Sequence, residues 1–95
     1  MKRQDRVDSK KLEKYFKITE KALKMAKDNV NSRRRKAGEE ILMMASSYFE
    51  DAKYFRKKGE YVNAFACLNY AHGWLDTGSR LGIFDVTDSN IFVIK

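Results

Sequence analysis

Four polar side chains in the second half of the chain are spaced so that they could act together in chemistry. Asn69, His72, Asp76 and Arg80 are three, four and four residues apart, which places them along one edge of a helix. A histidine that titrates near neutral pH, with a carboxylate one turn away, can serve general acid–base catalysis or bind a polar ligand. The same side chains also suit the edge of an ordinary helical bundle, where Asp76 and Arg80 would form an ion pair. This polar seam is therefore a candidate small-molecule or nucleotide site, with a structural role as the alternative.

The sequence offers no catalytic partner for the polar seam. The single cysteine, Cys67, lies five residues before His72 and so falls on a different side of the helix. One histidine and one cysteine are too few for a typical metal site. Gly73, Gly78 and Gly82 lie in or at the end of a helical pattern, not in a phosphate-binding loop. We therefore expect a protein that is not an enzyme and that binds no metal or other cofactor.

Basic side chains form a second candidate site. Residues 1–36 contain fourteen Lys or Arg against five Asp or Glu, residues 37–95 contain six against eight, and the net charge is +7. A row of cations along a helix can follow a phosphate backbone, although a solvated face has the same pattern. Nucleic-acid binding and simple solvation are the two interpretations. The residues concerned are Lys10, Lys14, Lys17, Lys21 and Lys24 on the first predicted helix, and Arg33, Arg34, Arg35 and Lys36 at the junction after it.

The elements that must carry these side chains are predicted to be helices. The chain has 95 residues, no proline and 43% apolar residues, a composition that favours one globular, helical domain. Apolar residues recur at helical spacing over about 9–29, 33–58 and 60–81. Gly59 can end the second of these helices in a left-handed conformation. The sequence therefore predicts an all-α fold, a three-helix bundle in which the second and third helices form a hairpin.

The third predicted helix is apolar on two faces, and a helix of this kind needs two neighbours. We therefore expect both of its apolar stripes to pack against the other helices. The first stripe passes through Leu68 and Leu75. The second stripe consists of Cys67, Tyr70, Trp74 and Leu81.

A short extended C-terminal tail over 83–95 is predicted to follow the third helix. Ile83, Phe84 and Val86 are expected to fold back on the open end of the bundle. The apolar run after them would be a sticky patch if it were exposed, so contact with a protein partner or with a second copy is expected. The candidate interface residues are Ile91, Phe92 and Ile94 of the tail, together with Cys67, Tyr70 and Trp74 of the second stripe.

The sequence also indicates where the protein works. No stretch approaches the roughly 18 apolar residues of a membrane span, and the first residues lack the apolar run of a signal peptide. A lone cysteine excludes an internal disulfide and is typical of a reducing compartment. We therefore expect a cytoplasmic protein that does not interact with membranes.

Two segments carry a family resemblance: NYAHGWLD at 69–76 and GIFDV at 82–86. With the run 38–86 around them, they resemble the archaeal family of small helical proteins known as domain of unknown function 357. The resemblance implies an archaeal source, a three-helix bundle and no established biochemical activity. The function favoured by the sequence is a non-catalytic protein-interaction or accessory module. A nucleic-acid-binding module and a small-molecule site at the polar seam are the alternatives.

Overall fold

The computed structural model describes residues 8–86, which form three helices packed as a bundle. Helix α1 (Ser9–Asp28) is followed by a short 3-10 turn (Ser32–Arg34), helix α2 (Arg35–Lys57) and helix α3 (Tyr61–Arg80). Helices α2 and α3 form an antiparallel hairpin, and α1 packs on it, more extensively on α3 than on α2. The predicted all-α three-helix bundle is thus confirmed.

Helix α1 begins at a side-chain cap. The backbone N–H of Lys11 donates to Asp8 Oδ1 at 2.7 Å, which satisfies one of the amide groups that the first turn leaves without a helical partner. The helix ends at Asp28, and the Asn29 side chain donates back to the Met25 carbonyl at 2.7 Å. The cap thus fixes the first turn, and the Asn29 side chain closes the last one.

Replacing this cap is expected to destabilise the protein. Asp8→Ala should lower the free energy of unfolding by about 1 kcal/mol, because the Lys11 amide loses its acceptor. Urea unfolding followed by circular dichroism measures the change. Ser9→Ala is the matched control, since Ser9 is already inside the helix. An effect of Ser9→Ala as large as that of Asp8→Ala would contradict the assignment of Asp8 as the cap.

The junction between α1 and α2 differs from the expected start of the second helix at about residue 33. Asn31 accepts from the backbone N–H of Arg33 at 3.0 Å through its side chain, and from that of Arg34 at 2.9 Å through its carbonyl. These bonds close a 3-10 turn. Arg34 then adopts φ −125° and ψ 31°, which is outside the helical region. Helix α2 therefore begins only at Arg35.

The turn between α2 and α3 is tight. Gly59 has φ +77°, the left-handed conformation that only glycine adopts without strain. The Gly59 N–H donates to the Arg56 carbonyl at 3.0 Å, and the Glu60 N–H donates to that of Phe55 at 2.9 Å. Helix α3 starts at Tyr61, so the chain reverses within three residues.

The core consists of two apolar clusters along the bundle, and alanines occupy many of the closest contacts. Six alanines are fully buried, and their small side chains let the helix axes approach closely. The cluster near the start of α1 contains Leu12, Phe16, Phe49, Ala52, Ala64 and Leu68. The cluster near its end contains Ala22, Ala26, Ile41, Ala45, Ala71, Leu75, Ile83 and Phe84.

The chain after α3 closes the end of the bundle, as expected for Ile83, Phe84 and Val86. Phe84 forms an antiparallel bridge with Val30, and both Ile83 and Phe84 are buried. The Asn31 N–H donates to the Ile83 carbonyl at 2.8 Å. These contacts tie the end of α3 to the α1–α2 junction. The predicted interface residues Ile91, Phe92 and Ile94 lie outside the described residues.

The second stripe of α3 is not packed in the way that the sequence predicted. Cys67 is half-buried, but Tyr70 is 60% exposed, Leu81 is 59% exposed and Trp74 is 39% exposed. The reason is the position of α1, which packs on the side of α3 that carries Phe65 and His72. Tyr70 and Trp74 are each two residues from His72, so they lie about 160° away from it around the helix. Within residues 8–86, no third helix covers them.

Candidate functional site

The polar seam lies in a groove between α1 and α3. The groove has a volume of about 350 Å³. Three of the four predicted seam residues line it, namely Asn69, His72 and Asp76, while Arg80 is exposed and is not among the lining residues. The remaining lining residues are Tyr15, Ile18 and Thr19 of α1 and Leu68 and Gly73 of α3.

His72 and Asp76 form the chemical centre of this groove. His72 Nε2 lies 3.7 Å from Asp76 Oδ1, and the two side chains are 21% and 24% exposed. They are one helical turn apart, so the regular geometry of α3 is enough to hold them together. The pair can donate and accept hydrogen bonds to a ligand in the groove. The sequence placed both His72 and Arg80 one helical turn from Asp76, and the structure brings the His72 imidazole to within 3.7 Å of the Asp76 carboxylate.

The single cysteine of the chain does not belong to this groove. Cys67 lies five residues before His72, about 140° away around α3, and it is not among the residues that line the groove. No cluster of three or more His, Cys, Asp or Glu side chains that could hold a metal ion occurs within residues 8–86.

Sequence reasoning missed the residues that α1 contributes to this groove. Tyr15 and Thr19 of α1 both line the groove, and Thr19 is buried. Their proximity to His72 depends on how α1 is rotated against α3, which no local pattern reveals. Gly73 is the feature of the sequence that could have indicated the groove. A glycine inside a helix often marks a position where another group packs closely or where space is left open.

An exposed aromatic surface lies on the opposite side of α3. We call it the aromatic face and define it as Tyr48 of α2, Cys67, Tyr70 and Trp74 of α3, and Leu81 at the C-cap of α3. The rings of Tyr48 and Tyr70 are 5.3 Å apart between centroids, so the face bridges the two helices of the hairpin. Helical spacing places three of the predicted interface residues, Cys67, Tyr70 and Trp74, on the same side of α3.

Cys67 places a thiol on this face. Burial raises the pKa of the Cys67 thiol, and the negative charge of Asp51 raises this pKa further. Because the thiolate is the reactive form, Cys67 is expected to be a slow nucleophile at neutral pH. It therefore contributes apolar contact area to the aromatic face.

Alkylation kinetics should reveal this effect of Asp51. Asp51→Asn removes the neighbouring negative charge, so it should lower the Cys67 pKa and increase the rate of reaction with iodoacetamide below that pKa. The rate is measured as a function of pH. Asp85→Asn removes an exposed carboxylate elsewhere and serves as the control. If both variants changed the rate equally, the local influence of Asp51 would be refuted.

The basic residues form a third surface. Every predicted nucleic-acid contact of α1 and the junction is exposed, and Lys10 and Lys24 are about 21 Å apart along α1. Arg35 and Lys36 lie in the first turn of α2, where the helix dipole disfavours cations. The N-cap residue Arg34 makes no side-chain capping bond there. These cations are therefore not explained by helix stability.

Comparison with known proteins places the fold in a family. Residues 14–84 match the family model described as "Protein of unknown function (DUF357)", a range that includes most of α1 and all of α2, α3 and the bridge at Phe84. The chain belongs to this family. No curated protein and no solved structure shows significant similarity to it.

Membership of the DUF357 family confirms the resemblance seen in the sequence and brings no assigned activity with it. The matched range contains the α1–α3 groove, the aromatic face and the basic junction, so all three surfaces belong to the family domain. None of the helices within residues 8–86 is both long and apolar enough to cross a membrane. The function must therefore be argued from the surfaces themselves.

Proposed function

We propose that this protein is a cytoplasmic, non-catalytic protein-interaction module that binds its partner through the aromatic face. The observation that carries the proposal is the exposure of Tyr70, Trp74 and Leu81 on one side of the hairpin. Tyrosine and tryptophan are the residues that most often dominate binding energy at protein interfaces. A face that joins several of them is a suitable centre for such an interface.

The packing of the face also supports this role. The rings of Tyr48 and Tyr70 lie against each other across two helices, at an angle of 47°, and those two helices are the most extensively packed pair in the fold. The aromatic rings are therefore presented by a rigid support, which reduces the entropy lost on binding. An apolar or aromatic surface on a second protein, or on a second copy of this chain, is the matching partner.

Site-specific photo-crosslinking in living cells tests this proposal. A photoreactive amino acid at position 70 should give a crosslinked band, either to a second copy or to another protein. The same amino acid at position 54 is the matched control, because Tyr54 is equally exposed at 57% but lies outside the aromatic face. Crosslinking at position 70 with none at position 54 supports the proposal. No band at either position, or equal bands at both, would refute it.

A double substitution should weaken the interaction found in this way. Tyr70→Ser with Trp74→Ser removes two anchor side chains, and we expect the partner's Kd to rise by at least about 30-fold, as for interface residues worth about 2 kcal/mol. Isothermal titration calorimetry, or sedimentation equilibrium for a second copy, gives the affinity. Tyr54→Ser with Val62→Ser removes comparable exposed apolar area and should leave the Kd within about twofold.

The second candidate function is nucleic-acid binding through the basic surface. Two observations support it. Arg35 and Lys36 lie at the start of α2, an electrostatically unfavourable position for cations, and the lysines of α1 are exposed. A surface that makes several phosphate contacts binds more weakly as salt increases, because counterions are released on binding. The proposal therefore predicts a steep salt dependence.

Charge reversal at the junction distinguishes specific use of this surface from general basicity. Arg33→Glu with Arg34→Glu should weaken binding to labelled RNA or DNA by at least about 10-fold at physiological salt, measured by fluorescence anisotropy. Lys57→Glu with Lys58→Glu makes the same change of charge at the other end of α2 and should have a much smaller effect. Equal losses in both variants would indicate net charge alone and would refute a site at the junction.

A further inference from the structure

Two exposed carboxylates of α2 lie beside the aromatic face. Asp51 comes three residues after Tyr48 and Glu40 comes eight residues before it, so both lie about 60–80° from Tyr48 in the same direction around α2. Because α2 and α3 are antiparallel and Tyr48 contacts Tyr70, Asp51 is level with Cys67. This position agrees with the effect of the Asp51 charge on the Cys67 pKa. A partner on the aromatic face therefore meets negative charge.

The local charge of the aromatic face is negative although the whole chain carries +7. Neither residues 41–50 of α2 nor residues 61–79 of α3 contain a lysine or an arginine. The lysines of α1 belong to the helix that packs on the side of α3 that carries Phe65 and His72. At physiological ionic strength, charges are screened beyond about 8 Å. The carboxylates beside the face therefore decide which charge it prefers.

The chain itself shows how an aromatic ring and a carboxylate hold a cation together. Arg56 Cζ lies 3.8 Å from the centroid of the Phe16 ring, and Arg56 Nη1 lies 3.0 Å from Glu13 Oε2. The negative face of the ring attracts the cation, and the carboxylate adds a charge-assisted hydrogen bond. The aromatic face offers the same two kinds of group to a cation from outside, because the rings of Tyr70 and Trp74 are exposed.

We propose that the partner of the aromatic face presents a basic amphipathic helix. Its cations bind Glu40 and Asp51, and its apolar side chains pack on the exposed rings between them. The proposal rests on the function proposed for this face and specifies the chemistry of the partner. The net charge of +7 opposes association of two copies, and α1 buries its own apolar side. The basic helix therefore belongs to a second protein.

The distance between the two carboxylates defines the spacing that this helix needs. Glu40 and Asp51 are eleven residues apart, which corresponds to about 16 Å along α2. Two cations eleven residues apart on the partner helix span the same distance. Apolar residues four and seven positions after the first cation lie on the same side of that helix. They would meet Tyr70 and Trp74, as in other complexes in which an amphipathic helix binds through regularly spaced anchors.

A designed peptide tests the proposal. The arginine peptide is an alanine- and glutamine-based helix with two arginines eleven positions apart and leucines four and seven positions after the first. The control peptide has glutamine in place of both arginines. Trp74 is the single tryptophan of the chain, so its fluorescence reports binding at this surface, and isothermal titration calorimetry gives the Kd. At physiological salt, the Kd of the arginine peptide should be at least about 10-fold lower than that of the control peptide.

Neutralising the two carboxylates should abolish the preference for arginine. Glu40→Gln with Asp51→Asn should raise the Kd of the arginine peptide at least about 10-fold and leave that of the control peptide within about twofold. Glu39→Gln with Glu50→Gln is the matched control, because it removes two exposed carboxylates that are also eleven residues apart. They lie about 100° further around α2, so the Kd should stay within about twofold. Circular dichroism reports that each variant is folded.

Failure of this proposal can be distinguished from failure of the function proposed for the aromatic face. Equal affinity for both peptides, lost in Tyr70→Ser with Trp74→Ser, would overturn the basic helix and keep the face as a binding surface. Equal losses in the two carboxylate variants would reduce the effect to net charge and would also overturn the proposal. So would the absence of binding by either peptide, and crosslinking at position 70, which does not depend on charge, would then decide the proposed function alone.

Discussion

Phe84→Ala is expected to lower the free energy of unfolding by about 3–5 kcal/mol, the range for removing a buried aromatic side chain. Phe84 is only 1% exposed, although it lies beyond the last helix. Its ring packs on Gly78 and near Ile41, so it joins α3 to α2 at the end of the bundle. The loss is a large share of the 5–15 kcal/mol that typically stabilises a domain.

The backbone contacts around Phe84 should increase the loss of stability caused by Phe84→Ala. The same substitution at a frayed chain end would cost less. The bridge of Phe84 to Val30 and the two flanking hydrogen bonds hold the segment against the α1–α2 junction. Without the ring, these bonds lose the apolar cover that shields them from water. Urea unfolding measures the change, with Phe84→Leu as a control that keeps most of the apolar volume and should cost less. A loss below about 1 kcal/mol for Phe84→Ala would show that the end of the bundle is not closed in this way.

The three helices could be predicted from sequence because their apolar periodicity is strong. In α1, the lysines and the buried residues fall on opposite sides, and this pattern leaves only a helix as a consistent interpretation. The hairpin could be predicted because Gly59 stands alone between two periodic segments, and its φ of +77° is the conformation for which glycine is selected. These features are local, and local sequence is sufficient to determine them.

The junction after α1 depends on contacts that are distant in sequence. Asn31 caps the 3-10 turn, but it also binds Gly82 and Ile83, which are more than fifty residues away. The sequence of residues 29–36 alone does not reveal these hydrogen bonds. The sequence therefore predicted that α2 starts at about residue 33, whereas the helix starts at Arg35.

The candidate surfaces were only partly predictable for a related reason. Helical spacing placed Asn69, His72 and Asp76 on one edge of α3, and the structure brings them together in a groove. The same spacing could not show whether Tyr70 and Trp74 face another helix or solvent, because that depends on where α1 packs. Burial of small residues such as Ala22 and Ala26 lets α1 sit close to the hairpin on one side only, and this leaves the aromatic face uncovered.

Gly78→Ala is expected to destabilise the protein even though alanine is the better helix former. A Cβ at this position would overlap the Phe84 ring and would lie 3.4 Å from Ile41 Cδ1. Overpacking of this kind costs about 1–3 kcal/mol, and it outweighs the gain of up to about 1 kcal/mol from replacing glycine in a helix. The Phe84 ring is the specific obstacle, because two of its atoms are the nearest neighbours of the added carbon.

A double-mutant cycle isolates this obstacle. In the Phe84→Ala background the space beside residue 78 is vacant, so Gly78→Ala should stabilise that variant by up to about 1 kcal/mol through helix propensity. The sign of the substitution therefore reverses, and the coupling energy between the two positions should be about 1–3 kcal/mol. Urea unfolding of the four proteins gives this value. If Gly78→Ala had the same effect in both backgrounds, the contact between residue 78 and Phe84 would not explain why α3 carries a glycine there.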